Sequence, residues 1–117
     1  MSFESALNQG RLEEARAILD DLEHSRDPGG LWLPECYADL AQAFDRRGQH
    51  DEAIALMDGA IERGWGGRPD PRSDIAEFHL RAGRSVEAAR IWAELKIEDP
   101  DDVWLYNAAG LLLQRGR

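Results

Sequence analysis

Three stretches of this chain, QGRLEEAR, RGQHDEAI and AGRSVEAAR, each set a glycine five residues before an alanine: Gly10 and Ala15, Gly48 and Ala53, Gly83 and Ala88. The glycines lie 38 and then 35 residues apart. A period in that range belongs to stacked helix-turn-helix units, which bury a core against their neighbours instead of closing one around themselves. At 117 residues there is room for about three such units and for no second domain. The expected organisation is one domain over 1–117, with a partial repeat over 2–24, repeats over 34–65 and 69–100, and a partial repeat over 102–117.

The middle copy shows why each half is helical. In PECYADLAQAFDRR the apolar residues Tyr37, Leu40, Ala41, Ala43 and Phe44 recur at the three-and-four spacing of an amphipathic helix. Pro34 and Glu35 supply a start, a ring suited to the first turn and an acid at the positive end, and Arg46, Arg47 and Gly48 supply a stop. In HDEAIALMDGAIERG a second helix follows, with Ala53, Ile54, Met57, Ala60 and Ile61 expected as its buried stripe. The next copy repeats the pattern with Ile75, Ala76, Phe78 and Leu80, then Ala88, Ile91, Trp92 and Leu95. The N-terminal copy keeps a stub of first helix around Phe3 to Asn8 and a full second helix with Leu12, Ala15, Ile18, Leu19 and Leu22. Two connections, SRDPGGLWLP and GWGGRPDP, read as lengthened loops. Each holds a tryptophan, Trp32 and Trp65, expected to cover the end of a helix pair or to serve a partner interface.

These residues resemble the tetratricopeptide repeat, whose unit carries large, small, aromatic, glycine, alanine and proline residues at fixed offsets. The middle copy matches through Tyr37, Leu40, Ala41, Phe44, Gly48, Ala53, Met57 and Ala60, with Trp65 in place of the final proline. The next copy matches through Ile75, Ala76, His79, Gly83, Ala88, Trp92, Leu95 and Pro100. The resemblance implies an all-α fold, a right-handed α-α superhelix of tandem helix-turn-helix repeats, whose first helices line a concave groove for a peptide or protein partner. On that implication the candidate partner-binding residues are Gln42, Asp45 and Arg46, then Ser73, Glu77 and Arg81, then Tyr106 and Asn107. The clamp that members of this family use for a chaperone's C-terminal carboxylate is missing. Its lysine-type positions are Ala38 and Ser73, and its asparagine-type positions are Gln42 and Glu77.

Composition narrows the partner. Residues 1–66 hold 14 acids against 6 bases and residues 67–117 hold 9 against 8, so the negative field belongs to the N-terminal half and favours a basic partner. A net charge of −9 argues against a nucleic-acid backbone, no apolar run reaches the roughly 18 residues of a membrane span, and no secretory signal opens the chain. The lone Cys36 fits a reducing compartment and reads as a small buried group. Arginine outnumbers lysine 13 to 1, the mark of a GC-rich genome, and we expect a bacterial, cytoplasmic protein. His24, His50 and His79 lack metal-site spacing, GWGG and DPGG lack the lysine of a phosphate loop, and neither a cofactor nor catalysis is expected.

The last segment, DDVWLYNAAGLLLQRG, repeats a first helix up to Gly116 without a second. Val103, Trp104, Leu111 and Leu112 belong to an apolar surface that wraps more of that helix than one packing stripe needs. Three readings follow: a self-association module that pairs two copies through these residues, a chain that continues past Arg117, or a helper domain of a larger enzyme or regulator.

Overall fold

A glycine with positive φ closes each hairpin, and it does so the same way three times in this computed structural model, which describes residues 2–25, 30–67 and 70–98. The values are +74° at Gly10, +87° at Gly48 and +83° at Gly83, the left-handed region that side chains resist. At Gly48 the N–H donates to the Asp45 carbonyl (2.9 Å) and the next N–H, of Gln49, donates to Phe44 (3.0 Å). That pair of hydrogen bonds satisfies two carbonyls at the end of the first helix. Gln49 then turns donor into acceptor, its own carbonyl taking the Ala53 N–H at 3.1 Å, and so opens the second helix. Arg11 does the same between Ala6 and Ala15, and Arg84 between His79 and Ala88. The constant glycine-to-alanine offset is thus a hydrogen-bonded unit in which one residue ends a helix and begins the next. The three alanines are fully buried at the base of each hairpin, where no larger side chain would let the helices approach.

The described residues form α1 (Phe3–Asn8), α2 (Leu12–His24), α3 (Leu33–Arg46), α4 (His50–Glu62), α5 (Pro71–Arg81) and α6 (Ser85–Glu98), with no strand among them. None of these helices is long and apolar enough to cross a membrane. The chain divides into two compact units, Met1–Trp65 and Gly66–Arg117. In the first, α1 packs on α2, α2 on α3, and α3 on α4. In the second, α5 packs on α6 around Ala76, Ala88, Trp92 and Leu95.

The second helices keep one register: nine residues after each glycine, Leu19, Met57 and Trp92 are all buried. Alongside Met57 the buried stripe of α4 takes Leu56, whereas Ile54 and Ile61 are half-buried, a correction to the expected stripe. In the first helices the large and small residues trade places. Ala41 and Phe44 fill the positions seven and four residues before Gly48; the same positions before Gly10 hold Phe3 and Ala6. All four are buried, so the volume at the hairpin base is conserved although its order is reversed, which is why the first copy reads weakly in sequence.

The first connection is not a longer loop. Its extra residues become the first turn of α3, which has 14 residues against 11 in α5 and accounts for the glycine spacing of 38 against 35. Pro34 in that turn gives up no hydrogen bond, because the N–H it lacks would have had no partner there. Ion pairs then tie the first copy to the second within the first unit: Glu13 of α2 with Arg47, and Arg16 of α2 with Glu52 of α4. Residues 101–117 lie outside the described residues, and with them the expected contacts of Val103, Trp104, Tyr106, Asn107, Leu111 and Leu112.

Candidate functional site

Packing on both neighbours buries α3 on nearly every side. Apart from Leu33 in the first turn, the helix residues that are not buried are Glu35, Asp39, Gln42 and Arg46. Their spacing of four, three and four residues makes one column along the helix. Each is set by its distance from Gly48, and the same distances from Gly83 select Asp70, Asp74, Glu77 and Arg81. The order of charges, acid, acid, polar or acid, then arginine, repeats from copy to copy. The stub helix α1 contributes the last two positions as Glu4 and Asn8, both exposed.

Gln42 and Arg46 therefore sit on the column of α3, and Glu77 and Arg81 at the same positions of α5. Two other expected positions do not. Asp45 is 4% exposed and Ser73 5%, each turned into its own unit. Asp45 can be buried because its carboxylate faces the His50 ring across the turn, Oδ1 to Nδ1 2.6 Å, and Ser73 because a hydroxyl is small and its N–H bonds the Asp70 carbonyl at 2.8 Å. The column residues missed from sequence, Glu35, Asp39, Asp70 and Asp74, were legible in the repeat itself, by counting back from each glycine. On α5 the column is partly engaged within its own helix. Asp70 caps it by accepting from the Arg72 N–H (2.9 Å), and Arg81 lies 4.0 Å from Glu77.

The carboxylates of the first unit act on one another. Packing around its base withdraws water from Asp39 and raises its carboxyl above the ordinary range, Glu35 adds to the rise, and Arg46 opposes it. Beneath them the Cys36 thiol is pushed up to about 11, by burial first and then by the negative field of Asp39, Glu35 and Glu4. Carboxylates from α1 and α3 thus converge over one buried thiol. The consequence is a cysteine that is inert when folded, since the thiolate is the reactive form. At pH 8 iodoacetamide should leave Cys36 unmodified in the native protein and label it fully in urea; rapid native labelling, read by mass spectrometry, would contradict this burial.

The open ends of the hairpins are closed differently in the two units. In the first, the Arg63 guanidinium lies 4.1 Å from the Tyr37 ring centroid, its Nε donates to Glu23 (2.9 Å) and its Nη1 to the Gly59 carbonyl (2.8 Å). The Tyr37 hydroxyl donates to the same Glu23 at 3.2 Å, so α2, α3 and α4 meet in one network. The hydrogen bond from Arg63 holds Glu23 below the usual carboxylate range, and burial lifts the Tyr37 hydroxyl above its own. Trp32 and Trp65 meet in a tilted pair, centroids 5.6 Å and planes 52° apart, with Trp32 still 56% exposed. In the second unit the two positions equivalent to Tyr37 and Arg63 are Arg72 and Glu98, and they form an ion pair of 2.6 Å.

Among the described residues no group of three or more His, Cys, Asp or Glu side chains could hold a metal ion. A family model described as tetratricopeptide repeat matches residues 4–21, 34–58 and 69–94. Against curated proteins the chain finds no match.

Proposed function

The chain belongs to the tetratricopeptide repeat family, a non-catalytic repeat type that mediates protein–protein interaction, and we propose that it binds a basic segment of a protein partner along the exposed column of α3. The observation that carries this reading is α3, where burial leaves open, apart from Leu33, only one column: two acids, an amide and an arginine. Glu4 of α1, exposed in the same unit, adds to the negative field there. An Arg- or Lys-rich segment would be drawn to it by the field of 14 acids against 6 bases in residues 1–66, and Gln42 supplies both a donor and an acceptor to a peptide backbone. Arg46 at the end of the column favours a segment whose charge changes sign there, which gives the encounter a direction.

Fluorescence anisotropy with panels of labelled basic, neutral and acidic peptides tests this on the full chain. Basic peptides should bind, and binding should weaken as salt is raised. The Glu35→Lys/Asp39→Lys variant should lose about tenfold in affinity, a change of about 1.4 kcal/mol. Equal affinity for acidic and basic peptides, or an unchanged affinity in the variant, would sink the reading.

A further inference from the structure

One side of each second helix is set by the residues three, six, ten and fourteen positions after its glycine. On α2 these are Glu13, Arg16, Asp20 and His24; on α4 they are Asp51, Ile54, Asp58 and Glu62; on α6 they are Val86, Ala89, Ala93 and Ile97. The α2 version is a packing side, since Glu13 and Arg16 there reach Arg47 and Glu52 of the next copy. On α6 the charges are gone. Val86 is 73% and Ile97 82% exposed, two of the three exposed large apolar residues among the described residues, and Ala89 and Ala93 between them are exposed as well. An apolar stripe four residues long on an otherwise polar helix face marks an interaction surface.

We propose that this stripe is the contact surface for a second copy of the same chain, paired antiparallel through α6. The sequence of the helix is complementary to its own reverse. With a two-fold axis between Ile91 and Trp92, Val86 lies opposite Ile97 of the other copy and Ala89 falls within one residue of Ala93, the small residues lying near the crossing where backbones must come close. On one flank of the seam the same register brings Arg90 of each copy within one residue of Glu94 of the other, an offset of about 1.5 Å that these long side chains span, twice by symmetry. Both side chains are exposed, and Arg90 already turns toward Glu87 of its own helix at 3.2 Å. A parallel pair would also join the apolar residues, but it would set this flank against the opposite flank of the other helix and keep Arg90 from Glu94. The stripe shares no residue with the column of α3 or with its counterparts on α1 and α5.

The test is the solution mass of the full chain over a tenfold range of concentration, by sedimentation velocity. The natural sequence should move from monomer toward dimer, and Val86→Asp/Ile97→Asp should remain monomeric with unchanged far-UV circular dichroism. Register is read by charge exchange: Arg90→Glu should weaken the dimer by about three- to tenfold, and Arg90→Glu/Glu94→Arg should restore it. A monomer at every concentration overturns the proposal. So does a dimer indifferent to Val86→Asp/Ile97→Asp, which would move the contact elsewhere in the chain.

Discussion

Truncating Phe44 to alanine should lower the stability of the first unit by about 3–5 kcal/mol, the range for deleting a buried aromatic ring from a packed core. The ring is 2% exposed and stands in the last turn of α3, beside the backbone carbonyl that receives the Gln49 N–H. Its loss empties the space where α3 and α4 converge on Ala53, and alanines there have no side-chain length with which to fill it. Domains of this size are stable by roughly 5–15 kcal/mol, so the variant should be near its folding threshold at room temperature. Urea titration followed by circular dichroism measures it. A cost under about 1 kcal/mol would mean that the site collapses around the deletion and that the ring does not fix the hairpin angle.

Gly48→Ala should cost about 1–2 kcal/mol for a different reason, with no cavity and no clash. A Cβ at this position would meet nothing within 4 Å, but φ is +87°, and a side chain there strains the backbone itself. Because Gly10 and Gly83 share that conformation and the same open surroundings, Gly10→Ala and Gly83→Ala should carry similar costs. Asparagine, which tolerates the left-handed region better, should recover part of each loss. The same urea titrations decide it; a neutral Gly48→Ala would show that the turn can relax to negative φ and keep both of its hydrogen bonds.

The fold was legible because backbone demands repeat as sequence. A left-handed turn asks for glycine, the close approach beneath it asks for alanine, and both residues recur at one offset in all three copies. What escaped was tertiary. Asp45 and Ser73 read as surface because they are polar, yet they lie on the inner side of their helices, and only the folded turn reveals that His50 stands opposite Asp45. Leu56 was hidden by a helix whose small and large apolar residues surround much of its circumference, so that periodicity alone admits two stripes. The network of Glu23, Tyr37 and Arg63 joins residues 14 and 26 positions apart through three helices, and nothing local in the sequence announces it. The acidic column lay between these cases: each of its members was visible, but only alignment on the glycines collects them into a line.

Sharing one residue between the end of a first helix and the start of a second restricts how such a protein can change length over evolutionary time. Inserting or deleting a single residue between Gly48 and Ala53 would rotate all of α4 by about 100° about its axis, carrying Ala53, Met57 and Ala60 toward water together. Growth at the far end of a first helix does no such harm, because the chain there has not yet committed its register to a partner. This chain bears the signature of that asymmetry: α3 exceeds α5 by three residues, and the difference lies in the opening turn of α3, at the end away from the shared turn.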